Sequence, residues 1–152
     1  MNLKNEVYYN WGRNSKIKPK IISPRNYNEL KKVIKNKNFI IQGNKRSYGD
    51  VALNKKLLIS MKNFNQIKYF NKKKGIIEIE SGALLKDLIT KITEYKWFVP
   101  VTPGTKYVSL GGMVANNIHG KNIINNQLKH FIKKIKLLKT NNKIVICSKK
   151  KK

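Results

Sequence analysis

The stretch Gln42–Asp50, QGNKRSYGD, follows directly on the apolar run Phe39-Ile40-Ile41. A strand that only has to turn needs one or two permissive residues. This one leaves through Gly43 and Gly49, which frame Arg46, Ser47 and Tyr48. Glycine lets the main chain approach a ligand closely, and successive backbone N–H groups are the usual cradle for phosphate. Ser47 adds a hydroxyl and Arg46 a permanent positive charge. The segment reads as a loop shaped around an anion at the end of a buried strand.

The flanking sequence supplies the scaffold for that loop. KPKIIS (18–23) reads as a strand closed by Pro24. RNYNELKKVIKNK (25–37) sets Leu30, Val33 and Ile34 at helical spacing, with Asn28 as the expected N-cap. NFIIQG (38–43) completes a β-α-β unit that ends in the glycine loop. Three further strands are predicted, at Lys56–Met61, Gln66–Phe70 and Gly75–Glu80, with a hairpin turn at Asn71–Lys74. In the last strand Ile77 and Ile79 alternate with Glu78 and Glu80, the pattern of a half-buried strand. Ser81 is the predicted cap of a helix running toward Trp97, whose Leu84, Leu85, Leu88, Ile89 and Ile92 form one apolar stripe. SLGGMVANNIHGKN (109–122) reads as a short helix entered through a glycine pair, and Phe131–Ser148 as a hairpin. The fold class expected is α+β: a small β-α-β lobe over about 21–58 and a mainly antiparallel lobe with helices over about 66–148. An N-terminal arm (1–20) precedes them and a lysine tail (149–152) follows.

The 152 residues suffice for one domain, and 40% apolar residues suffice to fold it. No apolar run approaches the ~20 residues of a membrane helix, so no transmembrane segment is expected. The first residues lack the apolar core of a secretory signal. Cys147 is the single cysteine, which excludes an internal disulfide and points to a reducing, cytoplasmic setting. The net charge of +27 comes from 31 lysines and only three arginines, spread along the whole chain. Specific nucleic-acid readers lean on arginine forks, so the charge reads as compositional background and no specific nucleic-acid partner is expected. No metal-ligand cluster stands out in the sequence.

A second glycine loop, PGTKYVSLGG (103–112), leads into the short helix. A helix N-terminus carries unpaired N–H groups and partial positive charge, which suit a pyrophosphate. Singly, GNKRSYG also describes a surface loop and LGGM close helix packing. Neither matches G-x-G-x-x-G or a P-loop. Together, two anion-facing loops on separate lobes imply one extended ligand lying between them.

QGNKRSYGD, PVTPGTKYVSLGGMVANNIHGKN (100–122) and WGR (Trp11–Arg13) together resemble the FAD-binding domains of the PCMH type, the vanillyl-alcohol-oxidase superfamily. The subgroup most similar is the decaprenylphosphoryl-β-D-ribose oxidase-like flavoproteins, and the likeness runs from about Trp11 to Ser148. The resemblance implies FAD as cofactor. Gly43, Asn44, Lys45, Arg46, Ser47, Tyr48, Gly49 and Asp50 would wrap its pyrophosphate. Gly104, Ser109, Leu110, Gly111, Gly112, Asn116, Asn117, Ile118 and His119 would line the flavin and ribityl region. Some superfamily members link the flavin covalently through a histidine where Arg46 stands; arginine cannot form that bond, so noncovalent FAD is implied. His119 and Lys121 are the implied substrate-side residues, imidazole being suited to take the proton when an alcohol passes its hydride to flavin. The substrate implied is a sugar or lipid-linked sugar. Two features depart from the subgroup: Lys45 stands where glycine is usual, and IINNQLKH (123–130) replaces further histidines and a Gly-Ser turn. The family's substrate domain has no counterpart in this sequence, so the chain is expected to be cut short, or completed by a second polypeptide; a noncatalytic or decayed FAD-binding fragment and a basic polyanion-binding module are the alternative readings.

Overall fold

The computed structural model describes residues 2–5, 7–35, 38–121 and 127–148. The lysine tail and the 122–126 part of the expected substrate-side segment lie outside those residues.

The first layer is a four-stranded sheet in the order β1-β4-β6-β5. Its strands are β1 (Asn2–Asn5), β4 (Lys20–Ser23), β5 (Ile40–Gln42) and β6 (Leu57–Ser60). A two-stranded hairpin, β2 (Tyr8–Tyr9) with β3 (Lys16–Ile17), stands between the first two in sequence. β4 and β5 both pair in parallel with β6, so the predicted β-α-β unit opens to admit β6 at its centre. Every residue of β6 is buried, as expected of a parallel strand covered on both faces. Leu57 and Ile59 pack with Ile22, Leu30, Val33, Ile34 and Phe64 on the helix side. Leu58 packs with Tyr8 and Ile21 on the other side. β1 was not expected from the sequence; it pairs antiparallel with β4.

Helix α1 (Tyr27–Val33) presents Leu30 and Val33 to this core. Its N-cap is Asn26, not Asn28: the Asn26 side chain, on an extended backbone, accepts from the Glu29 N–H at 2.9 Å. The helix begins two residues earlier than a cap at Asn28 allows, so Tyr27 and Asn28 already lie inside it. Asn26→Ala is therefore expected to cost about 1 kcal/mol in urea unfolding, and Asn28→Ala less than about 0.5 kcal/mol.

The second layer holds two antiparallel hairpins rather than one continuous sheet. These are β7 (Ile67–Asn71) with β8 (Ile76–Ile79), and β9 (Lys134–Leu138) with β10 (Ile144–Ser148). Helices α2 (Leu85–Thr93) and α3 (Leu110–Ala115) share a core of Leu85, Leu88, Ile92, Met113 and Leu128. The predicted stripe is the buried face of α2, but its predicted cap is not its cap, and the helix ends at Thr93, short of Trp97. Leu84 occupies the N-cap and offers no side-chain bond. The Leu85 and Lys86 N–H groups instead donate to the Val108 and Lys106 carbonyls at 2.9 and 2.8 Å. Backbone from the second glycine loop does what a serine side chain was expected to do, which no local pattern reveals.

Candidate functional site

Three segments meet at the end of β5. Gly43, the first loop residue, lies against Ser109: a Cβ at Gly43 would fall 2.0 Å from the Ser109 Oγ. Asn44 Nδ2 donates to the Tyr107 carbonyl at 2.7 Å. The Trp11 N–H, at the tip of the β2–β3 hairpin, donates to the Ser47 carbonyl at 3.2 Å. The loops that the sequence separates by some sixty residues are thus in direct contact, and the arm closes on them from the side.

Arg46 sits at the junction. Its Cζ is 4.1 Å from the centre of the Trp11 ring and 5.8 Å from that of Tyr107. Its Nε is buried with no hydrogen-bond partner, and among the described residues Arg46 forms no ion pair. Lys45, at φ 58°, holds the left-handed conformation that favours glycine, at a strain of about 1 kcal/mol. The conformation usual for a glycine is kept by a lysine, whose Nζ rests 4.4 Å from the Tyr8 ring centre. Burial pushes the Tyr8 phenol well above its usual range, and the Gln42 side chain draws it back by less. Two cations held against aromatic rings, with no ion pair to a carboxylate among the described residues, make this corner attractive to an anion.

Backbone donors divide unevenly between the two loops. Among the described residues, no amide from Asn44 to Gly49 donates to a protein acceptor. Gly49, at φ 62°, has open space where a Cβ would stand, as has Gly104. At α3 the expected free amides are engaged. Leu110 N donates to Ala83 O at 2.9 Å, Gly111 N to Ser81 O at 2.7 Å and Gly112 N to the Ser109 hydroxyl at 3.3 Å. The expectation that Gly111 and Gly112 offer N–H groups to a pyrophosphate is corrected: those donors cap their own helix and tie it to the 81–83 segment. A Cβ at Gly111 would come within 2.9 Å of Ser81, so this glycine serves close packing.

The remaining predicted residues lie on both loops and after α3. Ser109 is buried, and Tyr48, Gly49 and Asp50 are exposed at the outer rim of the first loop. Asn116 donates its side-chain amide to the Gly112 carbonyl, and Asn117, at φ 40°, donates to Gln127. Ile118 packs on the second core. His119 and Lys121 are exposed. Lys121 exchanges both backbone hydrogen bonds with Thr102, at 3.1 and 3.2 Å, an isolated bridge that fixes Lys121 beside Thr102. Sequence reasoning gave no role to Tyr107, Trp11 or Tyr8. Their only common property is an aromatic face turned to a loop cation, and positions 8, 11 and 107 carry no spacing signal for that.

A mixed four-stranded sheet with its helix and a layer of antiparallel hairpins meet at this cationic glycine bend. The FAD-binding domain family matches residues 19–148, and the chain belongs to that family. FAD is its cofactor. It is 37% identical over 84 residues to decaprenylphosphoryl-β-D-ribose oxidase of Mycolicibacterium smegmatis, covering 55% of this chain and 18% of that one. It is 22% identical over 151 residues to L-gulonolactone oxidase of Mus musculus, covering 95% of this chain and 34% of that one. Cholesterol oxidase from Brevibacterium sterolicum superposes with a TM-score of 0.69 at 18% identity, over 78% of this chain and 25% of that one, a likeness of fold. The chain spans about a third or less of the length of these relatives. Among the described residues, no helix is long and apolar enough to cross a membrane.

Proposed function

We propose that the chain holds FAD noncovalently and forms the cofactor half of an oxidoreductase acting on a hydroxyl-bearing carbon. The observation that carries this reading is Arg46, a half-buried guanidinium with an orphaned Nε, set where both glycine loops and the arm meet. Buried charged donors without partners are rare, and one beside a run of unengaged amides fits a diphosphate.

In this reading residues 21–148 form the cofactor domain, with lobes over about 21–58 and 66–148. The amides of Asn44–Gly49, the Ser47 hydroxyl and Arg46 bind the diphosphate; Asp50 and Tyr48 close the outer rim. Ser109–Gly112 set the depth of the flavin side by packing rather than by donating. The exposed His119 is suited to accept the hydroxyl proton, and Lys121 to hold an anionic group of the substrate. Bound FAD supplies the hydride acceptor. Decaprenylphosphoryl-ribose, gulonolactone and cholesterol, named in the three similar oxidases, all carry a hydroxyl on saturated carbon, which supports this substrate class. A lipid-linked sugar is the narrower substrate. In this reading the wall over the flavin, which excludes water and orients the reacting carbon, comes from outside the cofactor domain. The lone Cys147 supports a cytoplasmic setting.

The purified chain is expected to turn yellow with added FAD after desalting, and acid precipitation is expected to leave all the flavin in the supernatant. Flavin in the acid pellet would contradict noncovalent binding, and a colourless protein would end the cofactor reading.

A further inference from the structure

Resting on the FAD reading, we infer that Trp11 and Tyr107 are positioning residues that clamp Arg46 in its anion-binding orientation, so the arm hairpin belongs to the cofactor site. Neither ring is placed there by its own loop. Trp11 arrives on the turn between β2 and β3, where Arg13, at φ 56°, and the buried Asn10 close the bend. Asn10 fixes that bend through its side chain, which accepts from the Ser15 N–H at 3.1 Å. Tyr107 arrives on the second glycine loop and is tied to Asn44 through its carbonyl.

A guanidinium is planar and stacks on aromatic faces while its edge N–H groups stay free to bind oxygen. At 4.1 Å over Trp11, Arg46 has its face covered and, among the described residues, its donors unengaged. An arginine on an unsupported loop must be ordered when an anion binds. One already stacked has lost that freedom beforehand, so the clamp raises affinity without touching the ligand. The Trp11 N–H bond to Ser47 carries the same restraint to the backbone that offers the amides.

The clamp predicts coupling, which separates it from a structural role or from direct stacking on the ligand. FAD affinity is measured by titration for the wild type, Trp11→Ala, Trp11→Phe, Arg46→Ala and the double variant. Trp11→Ala is expected to raise Kd about tenfold, and Trp11→Phe, which keeps a ring face, less than about threefold. In the Arg46→Ala background, removing Trp11 is expected to change Kd less than about twofold. Trp11→Ala retains the Arg46 charge, so its Kd should keep the salt dependence of the wild type, whereas Arg46→Ala should flatten it. Additive effects of the two substitutions, or a Trp11→Ala affinity equal to wild type, would overturn the clamp while leaving the FAD reading intact. If Trp11→Ala does not fold, the contact is read without FAD. In a Trp97→Phe background the remaining indole is Trp11, and Arg46→Ala is expected to shift its emission. No shift overturns the clamp. Failure of the wild type to bind FAD would instead remove the reading beneath it.

Discussion

Arg46→Ala is expected to raise the Kd for FAD about a hundredfold, and Arg46→Lys to recover no more than about a tenth of that loss. A hydrogen bond to a charged group contributes about 1.5–3 kcal/mol, and each factor of ten is 1.4 kcal/mol. The same substitution should cost no more than about 1 kcal/mol of stability, from the lost contact with the Trp11 and Tyr107 rings, because the guanidinium hydrogen-bonds no other described residue. Removal of a buried donor without a partner offsets part of that cost, so the apoprotein is expected to unfold at nearly the wild-type temperature. Lysine carries the charge but lacks the flat face for Trp11 and the fork for a diphosphate. Equal affinities for the lysine variant and the wild type would show that charge alone suffices. A large loss of stability in Arg46→Ala would show that its donors have a structural partner.

Gly43→Ala is expected to damage both fold and site, and to be repaired by a second change on the other loop. The added methyl would lie 2.0 Å from the Ser109 Oγ and 3.0 Å from its Cβ, distances that non-bonded atoms do not adopt. Ser109 accepts from the Gly112 N–H as the N-cap of α3, so it can turn away only by uncapping that helix. Overpacking and cap loss together are expected to cost about 2–3 kcal/mol in urea unfolding and to weaken FAD binding at least tenfold. Glycine is tolerated at an N-cap at a cost of a few tenths of a kcal/mol, so Ser109→Gly alone should be mild. Combined with Gly43→Ala it should restore most of the lost stability, a strongly non-additive cycle. Additive costs would mean that the two loops do not touch in solution.

Legibility in the sequence followed the range of each interaction. The strands and the apolar stripes of α1 and α2 could be read because period-2 and period-3.6 patterns are local records of which face is buried. The QGNKRSYGD bend was readable because glycine and phosphate-binding residue types crowd into nine positions. Helix ends were read less well. Asn28 and Ser81 were reasonable caps by residue type, but the Asn26 side chain takes the Glu29 N–H, and the start of α2 is capped from Lys106 and Val108. The engaged amides of Gly111 and Gly112 escaped notice for the same reason. A glycine pair before a helix looks alike whether its N–H groups face a ligand or the Ser81 carbonyl. β1 went unseen because NLKN carries little strand character, and its place is set by the exposed edge of β4. The aromatic clamp on Arg46 lies at the far end of this scale, assembled from three segments with no shared period.

The carbonyls of Lys106 and Val108 have a consequence for how the two walls of the site can move. A loop that serves as its neighbour's helix end cannot breathe alone, because opening it frays the first turn of α2 and disturbs the core beneath. The wall carrying Tyr107 and Ser109 therefore belongs to the slow-opening part of the molecule. The Gly43–Asp50 bend, with its uncommitted amides, is left as the side that adapts when a guest arrives.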